Sequence, residues 1–145
     1  MQSRKPYRFV SEKPEATVRL GQSIGARLQP GAVVSLIGEL GSGKTTLVKG
    51  IARSLGVEEE VTSPSFTIMS VYQGRTVLYH VDLYRINDAD ELDYLGLEDV
   101  LAGRGVCVIE WGEKAEEILP EARVEVRLRM LANGAREIKV RGAGL

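Results

Sequence analysis

Two kinds of apolar pattern alternate along the chain. Residues 32–37 form a near-continuous apolar run broken only by Ser35, and residues 105–109 form a second one containing Val106, Cys107, Val108 and Ile109. Such runs suit strands buried on both faces, as in a parallel sheet. Elsewhere the period lengthens. Ala16, Leu20, Ile24 and Leu28 recur every four residues, which predicts a helix with one apolar stripe. Ser11 and Pro14 open it and Pro30-Gly31 closes it. A short strand over residues 7–10 precedes it. A glycine-rich stretch follows residue 37, and residues 45–55 read as a helix ended by Gly56.

The second half contains shorter pieces. Residues 65–72 and 76–84 are strand-like and flank Gln73-Gly74-Arg75, which predicts a hairpin. Asn87-Asp88-Ala89-Asp90 offers caps for a helix over residues 91–100. A short helix over residues 113–119 is stopped by Pro120. Residues 123–130 and 135–140 flank Asn133-Gly134, the strongest short hairpin signal in the chain. With no internal repeat, low-complexity tract or linker, the 145 residues read as a single domain.

The glycine-rich stretch carries the first chemistry. Gly38-Glu39-Leu40-Gly41-Ser42-Gly43-Lys44-Thr45 has the spacing G-x-x-x-x-G-K-[ST]. Successive backbone N–H groups must turn inward around phosphates, and glycines permit both the dihedrals and the close approach. The N-terminus of the following helix adds positive partial charge. In such a loop Lys44 reaches the β- and γ-phosphates and the Thr45 hydroxyl binds Mg²⁺. The order strand, loop, helix supports this reading. The expected fold is therefore α/β, a P-loop NTPase three-layer sandwich with a mostly parallel central sheet and a C-terminal β-hairpin.

A P-loop needs a second magnesium handle and a group that positions water. Ligands in open α/β folds gather at the carboxyl ends of strands, so acids that end apolar runs are the candidates. Asp82 ends Val77-Leu78-Tyr79-His80-Val81, and Glu110 ends Val106-Cys107-Val108-Ile109. Either can hold Mg²⁺, directly or through water, while the other orients the attacking water. His80, the only histidine, is expected to be a hydrogen-bonded structural residue rather than a base. Ser63-Pro64-Ser65-Phe66 reads equally as a loop responding to the γ-phosphate and as a plain turn. Trp111 packs over the site or fills the core.

Composition narrows the field. Apolar residues make up 43% and charged residues 27%, ordinary for a globular protein. The net charge of −1 provides no global basic field to draw the chain onto nucleic acid or an anionic membrane. The single cysteine, Cys107, allows neither an intrachain disulfide nor a Cys/His zinc cluster. With no signal peptide or apolar span in view, the expected location is the cytoplasm. No N/T-K-x-D run or Rossmann fingerprint occurs, which makes ATP the expected nucleotide.

Taken together, the motifs resemble the bacterial TsaE (YjeE) family over nearly the whole chain. Gly38 to Thr46 resembles its G-D-L-G-A-G-K-T-T, Ser63 to Thr67 its S-P-T-F/Y-T, and Tyr79 to Arg85 its Y-H-x-D-L-Y-R. Glu91-Leu92, Leu95-Gly96-Leu97 and Ile109-Glu110-Trp111 resemble later family segments, and Thr17 with Gly21 its N-terminal T-x-x-x-G. The resemblance implies an ATPase that assists formation of threonylcarbamoyladenosine beside the anticodon of certain tRNAs. It implies a TsaD–TsaB heterodimer as partner, with tRNA met only through that complex and no membrane. The cofactors implied are ATP and Mg²⁺. By position, Gly41, Ser42, Gly43, Lys44, Thr45 and Thr46 would bind the nucleotide phosphates, with Glu39 and Leu40 counted among the nucleotide-binding residues. Thr45 and Glu110 would contact Mg²⁺, Asp82 would be a required acid also counted with the metal, and Trp111 would belong to the site. Lys44, Asp82 and Glu110 would form the catalytic set, with Arg136 near the nucleotide. The chain departs from the family at Glu39 and Ser42, at Ser65, and at Gly112, where proline is common and a looser turn is expected. The competing readings are a small-molecule P-loop kinase, for which no arginine-bearing lid is visible between Gly56 and Gly105, and a nucleotide-dependent binding module with negligible turnover.

Overall fold

The computed structural model describes residues 6–64, 68–88, 90–93 and 96–142. In chain order the elements are β1 (Tyr7–Ser11), α1 (Pro14–Gly25), β2 (Val33–Ile37), α2 (Lys44–Ser54), β3 (Met69–Tyr72), β4 (Leu78–Asp82), α3 (Asp90–Asp93), α4 (Leu97–Leu101), β5 (Val106–Glu110), a 3-10 turn (Gly112–Ala115), β6 (Val124–Met130) and β7 (Arg136–Gly142). The strands form one sheet in the order β1-β7-β6-β2-β5-β4-β3. Its four central strands, β6, β2, β5 and β4, run parallel. β7, β1 and β3 add antiparallel margins.

The apolar runs behave as their pattern requires. Along β2 and β5 every side chain is buried or nearly so, and successive ones enter opposite layers. Val34, Leu36, Val106 and Val108 pack with α1 and α2 through Leu20, Ile24, Leu47, Val48 and Ile51. Val33, Cys107 and Ile109 pack with Leu97, Ala115 and Leu119 on the other side. The result is three layers with two apolar cores. α1 and α2 pack in close contact because two glycines meet at their crossing. A Cβ on Gly21 would stand 2.3 Å from the Leu47 carbonyl oxygen, and one on Gly50 2.0 Å from that of Val18.

Two expected helices are shorter than the pattern implied. The segment 91–100 is divided into α3 and α4, with Gly96 in a left-handed conformation between them; Tyr94 and Leu95 lie outside the described residues. The segment 113–119 makes only a 3-10 turn. It is confined between the left-handed Trp111 (φ 60°) and Pro120. The 65–72 strand is described from Met69 onward; Ser65, Phe66 and Thr67 lie outside the described residues. Both expected hairpins are present: Tyr72 pairs with Leu78 and Met130 with Arg136. Among the described residues no helix is long and apolar enough to cross a membrane.

Candidate functional site

The site lies where β2, β4 and β5 end and α2 begins. The parallel register sets Asp82 of β4 directly beside Glu110 of β5, and Glu110 beside Leu36 of β2. The loop from Gly38 then turns back over these strand ends. Gly43, at φ 104°, caps α2 in a left-handed conformation that side-chain-bearing residues rarely adopt. The first-turn amides of α2 therefore face a cleft of about 450 Å³. Its walls include Gly41, Lys44, Thr45, Thr46, Asp82 and Glu110. A smaller cavity of about 160 Å³ adjoins it past Gly43 and Thr46 and is lined by Lys13, Thr17 and Arg136.

Lys44 is folded back over its own loop. Its ammonium donates to the Gly38 carbonyl at 2.5 Å and the Glu39 carbonyl at 2.9 Å, and sits 4.5 Å from the centre of the Trp111 ring. Burial lowers its pKa from the ordinary lysine value, opposed first by Glu110 and then by Asp82. The cation survives because carbonyls, a ring face and two carboxylates surround it.

Glu110 is only 4% exposed. Its Oε2 accepts hydrogen bonds from the Thr45 hydroxyl at 2.8 Å and from His80 Nε2 at 2.6 Å. Because a carboxylate only accepts, His80 is the donor here, which places a proton on Nε2. His80 Nδ1 is buried without a partner. Asp82 is arranged differently: Oδ1 accepts the Tyr84 N–H at 3.0 Å and Oδ2 the Ser63 hydroxyl at 3.2 Å. It ties the end of β4 to the loop before β3.

The expected site residues are thus gathered, with distinct roles. Gly41, Gly43, Lys44, Thr45, Thr46, Asp82, Glu110, Trp111 and Arg136 all line the main cleft. Leu40 joins them there and is 65% exposed. Glu39 contributes its carbonyl to Lys44, and Ser42 is buried with its hydroxyl unpartnered. Arg136 donates through Nε to the Gly41 carbonyl at 3.1 Å, joining the β6–β7 hairpin to the loop. The turn after Trp111 is tight, not loose: Gly112 is buried, and a Cβ there would fall 1.8 Å from Ser35 Oγ.

His80 is the hydrogen-bonded structural residue that was expected, but its partner and two further features were not anticipated. His80 is buried and donates to Glu110, and its position two residues before Asp82 on β4, diagonal to Glu110, carries the only sequence signal for this partner. Lys114 donates to the Tyr84 and Ile86 carbonyls at 2.7 and 2.9 Å, fixing the segment after β4. Tyr84 in turn packs its ring 5.2 Å from that of Trp111. Nothing in the local pattern around residues 84 and 114 points to that clamp.

Hard oxygen donors converge at the mouth of the cleft: the Thr45 hydroxyl and the carboxylates of Glu110 and Asp82. Among the described residues no cluster of three or more His, Cys, Asp or Glu could hold a metal. That set fits Mg²⁺, which binds through one or two protein oxygens and takes phosphate and water for the rest. A family model described as threonylcarbamoyl adenosine biosynthesis protein TsaE matches residues 11–138. The chain belongs to the TsaE family. The relatives include a TsaE of Treponema pallidum, 48% identical over 92% of this chain and 98% of that protein. A TsaE of Bacillus subtilis is 39% identical over 97% of this chain and 88% of its own length. Both are named tRNA threonylcarbamoyladenosine biosynthesis proteins. The crystal structure of Bacillus subtilis YdiB superposes with a TM-score of 0.84 at 34% identity, covering 99% of this chain and 89% of that one. The seven-stranded sheet is therefore a TsaE-type P-loop fold.

Proposed function

We propose that this TsaE-family protein binds Mg·ATP in the 450 Å³ cleft and hydrolyses it in support of a TsaD–TsaB heterodimer. That complex forms threonylcarbamoyladenosine next to the anticodon of tRNAs, in the cytoplasm, and holds the tRNA. One observation carries the reading: the Thr45 hydroxyl is hydrogen-bonded to a buried Glu110 at the N-terminus of α2, beside the Lys44 ammonium. A helix N-terminus, an ammonium and a hydroxyl–carboxylate pair together match a magnesium-bound triphosphate and little else.

Lys44 would exchange its contacts with Gly38 and Glu39 for the phosphates. Thr45 and Glu110 would hold Mg²⁺, which when bound supplies charge neutralisation between the β- and γ-phosphates. Asp82, already holding Ser63 and the Tyr84 amide, would orient the water that attacks the γ-phosphorus as the bond to the β,γ-bridging oxygen breaks. The smaller cavity beside Thr46 gives the nucleoside a place to extend. The Ser63 hydroxyl reaches Asp82 at 3.2 Å, so the loop before β3 is linked to the acid assigned to the water, and turnover of the free protein is expected to be slow. Partner binding completes the arrangement.

The test is ADP release measured with purified TsaD–TsaB and tRNA. The proposal expects stimulation by the partner, and a loss of about 100-fold or more in Lys44→Ala and Glu110→Ala. Full activity in both variants would discard the site. ADP formation that requires a small phosphate acceptor instead of the partner would favour a kinase.

A further inference from the structure

Among the described residues no helix covers the outer face of the β1-β7-β6 margin, and the composition of that face runs against the net charge of −1. Arg8, Arg127, Arg129, Lys139 and Arg141 project from it, all exposed. The four arginines are 50–65% exposed. Two carboxylates lie among them, Glu125 and Glu137, and both are shielded at 13% and 6% exposure. Glu137 accepts from Arg129 at 2.7 Å and Arg8 at 2.6 Å, and Glu125 pairs with Arg123, Arg127 and Arg141. The solvent therefore meets cations with the anions beneath them.

The register makes the arrangement costly. Lys139 stands directly opposite Arg8 on one side and Arg127 on the other. Three like charges thus lie in line across three strands, about 4.8 Å from one to the next. Directly opposed like charges destabilise a sheet. Lys139 itself has no hydrogen bond or ion pair among the described residues. A glutamate at 139 would pair with both arginines, so folding alone does not call for the lysine. Along the sheet, Arg127 pairs in register with Ile37, the last residue before the glycine loop.

We propose that this sheet face is a docking surface for the phosphate backbone of RNA. Phosphate contacts come mainly from Arg and Lys and need no base-specific geometry, which suits a flat row of long cationic side chains. A protein partner is less well matched. Protein interfaces rest on an apolar or aromatic centre, whereas among the described residues the exposed large apolar side chains on these strands, Tyr7, Val10 and Met130, lie at strand ends or on the outermost strand and not at the centre of the charged row. Nucleic-acid interfaces are flatter in apolar content and strongly positive. The inference goes beyond the ATPase reading and does not depend on it: the contact is electrostatic, weak, and auxiliary to whatever holds the RNA elsewhere.

The experiment is fluorescence anisotropy of the intact protein with a labelled RNA stem-loop, without nucleotide and across salt concentration. Five phosphate contacts predict a slope of log K against log salt of about −3.5 if they fall on the single-stranded loop and about −4.5 if on the stem, or roughly 100- to 500-fold weaker binding at 200 mM than at 50 mM salt. Lys139→Glu should weaken binding by about tenfold at low salt without lowering the melting temperature. The paired Arg8→Ala, Arg127→Ala variant should flatten the slope by about two contacts. Polyglutamate of matched charge should bind the wild-type protein more weakly than RNA does. Absence of RNA binding by the wild type at 50 mM salt, or unchanged affinity in Lys139→Glu, would overturn the proposal. So would polyglutamate binding as tightly as RNA, which would make the face a protein interface. Mg·ATP binding measured on the same samples keeps this result separate from the nucleotide assignment.

Discussion

Replacing His80 with leucine removes one hydrogen-bond donor from Glu110 while leaving a side chain of similar size in a fully buried position. The lost bond is 2.6 Å long and ends on an ionised oxygen. Hydrogen bonds to charged groups are worth about 1.5–3 kcal/mol, which corresponds to roughly 10- to 100-fold in an equilibrium. Removing a partner that orients a metal-binding side chain has the same typical cost, about 10–100-fold in metal affinity. The structure says where the loss appears. Among the described residues Thr45 becomes the only donor to Oε2, so Glu110 regains rotamer freedom; on the proposed assignment it would then hold Mg²⁺ less well, while the proposed phosphate contacts of Lys44 and the α2 amides would be untouched. The assay is a Mg²⁺ titration of the nucleotide-loaded protein followed by the emission of Trp111, the single tryptophan, whose ring lies 4.5 Å from Lys44 Nζ. His80→Leu should need about 10–100 times more Mg²⁺ with nucleotide affinity in the absence of metal unchanged. His80→Gln, which keeps an N–H at similar reach, should recover much of the difference. If His80→Leu folds and titrates within twofold of wild type, His80 has no positioning role.

The rest of the molecule makes further commitments. In Gly50→Ala a new Cβ would meet the Val18 carbonyl at 2.0 Å, so α1 and α2 must part; overpacking of this kind costs about 1–3 kcal/mol, read as melting about 3–10 °C lower. Glu137 has its pKa pushed from 4.5 down to about 2, first by Arg129 and then by Arg8. A depressed carboxylate stabilises the fold above its unfolded value and loses that contribution as pH falls through the folded one. Glu137→Gln should therefore melt below wild type at pH 7, with the gap closing between pH 4.5 and about 2. Burial pushes the Cys107 thiol up to about 12, so it should stay unreactive toward a disulfide reagent until the protein is unfolded in guanidinium.

Much of this architecture was legible because its signals are local. The apolar runs that became β2 and β5, the Asn133-Gly134 turn and the G-x-x-x-x-G-K-T loop each state their structure within ten residues. Asp82 and Glu110 were found because an acid closing a buried run has few structural uses. What could not be read depends on register. That His80 reaches Glu110 follows from β4 lying beside β5 with Asp82 opposite Glu110, and no window of sequence contains that pairing. The Lys114–Tyr84–Trp111 clamp joins residues far apart in the chain. The basic face was hidden for the same reason: a net charge of −1 sums over a surface that strand alternation divides into separate faces. Helix lengths were overestimated where Gly96 and Trp111 adopt left-handed backbones, since periodicity reports which side is buried and not where the chain turns.

Isothermal calorimetry of the protein with a nonhydrolysable ATP analogue, with and without Mg²⁺, tests the central assignment most directly. Saturable binding is predicted, strengthened by Mg²⁺ in the wild type and losing that magnesium dependence in Glu110→Gln, with Lys44→Ala weakened under both conditions. A folded wild-type protein that releases no heat of binding with Mg²⁺ present, or a Lys44→Ala variant that binds as tightly as wild type, would contradict the account.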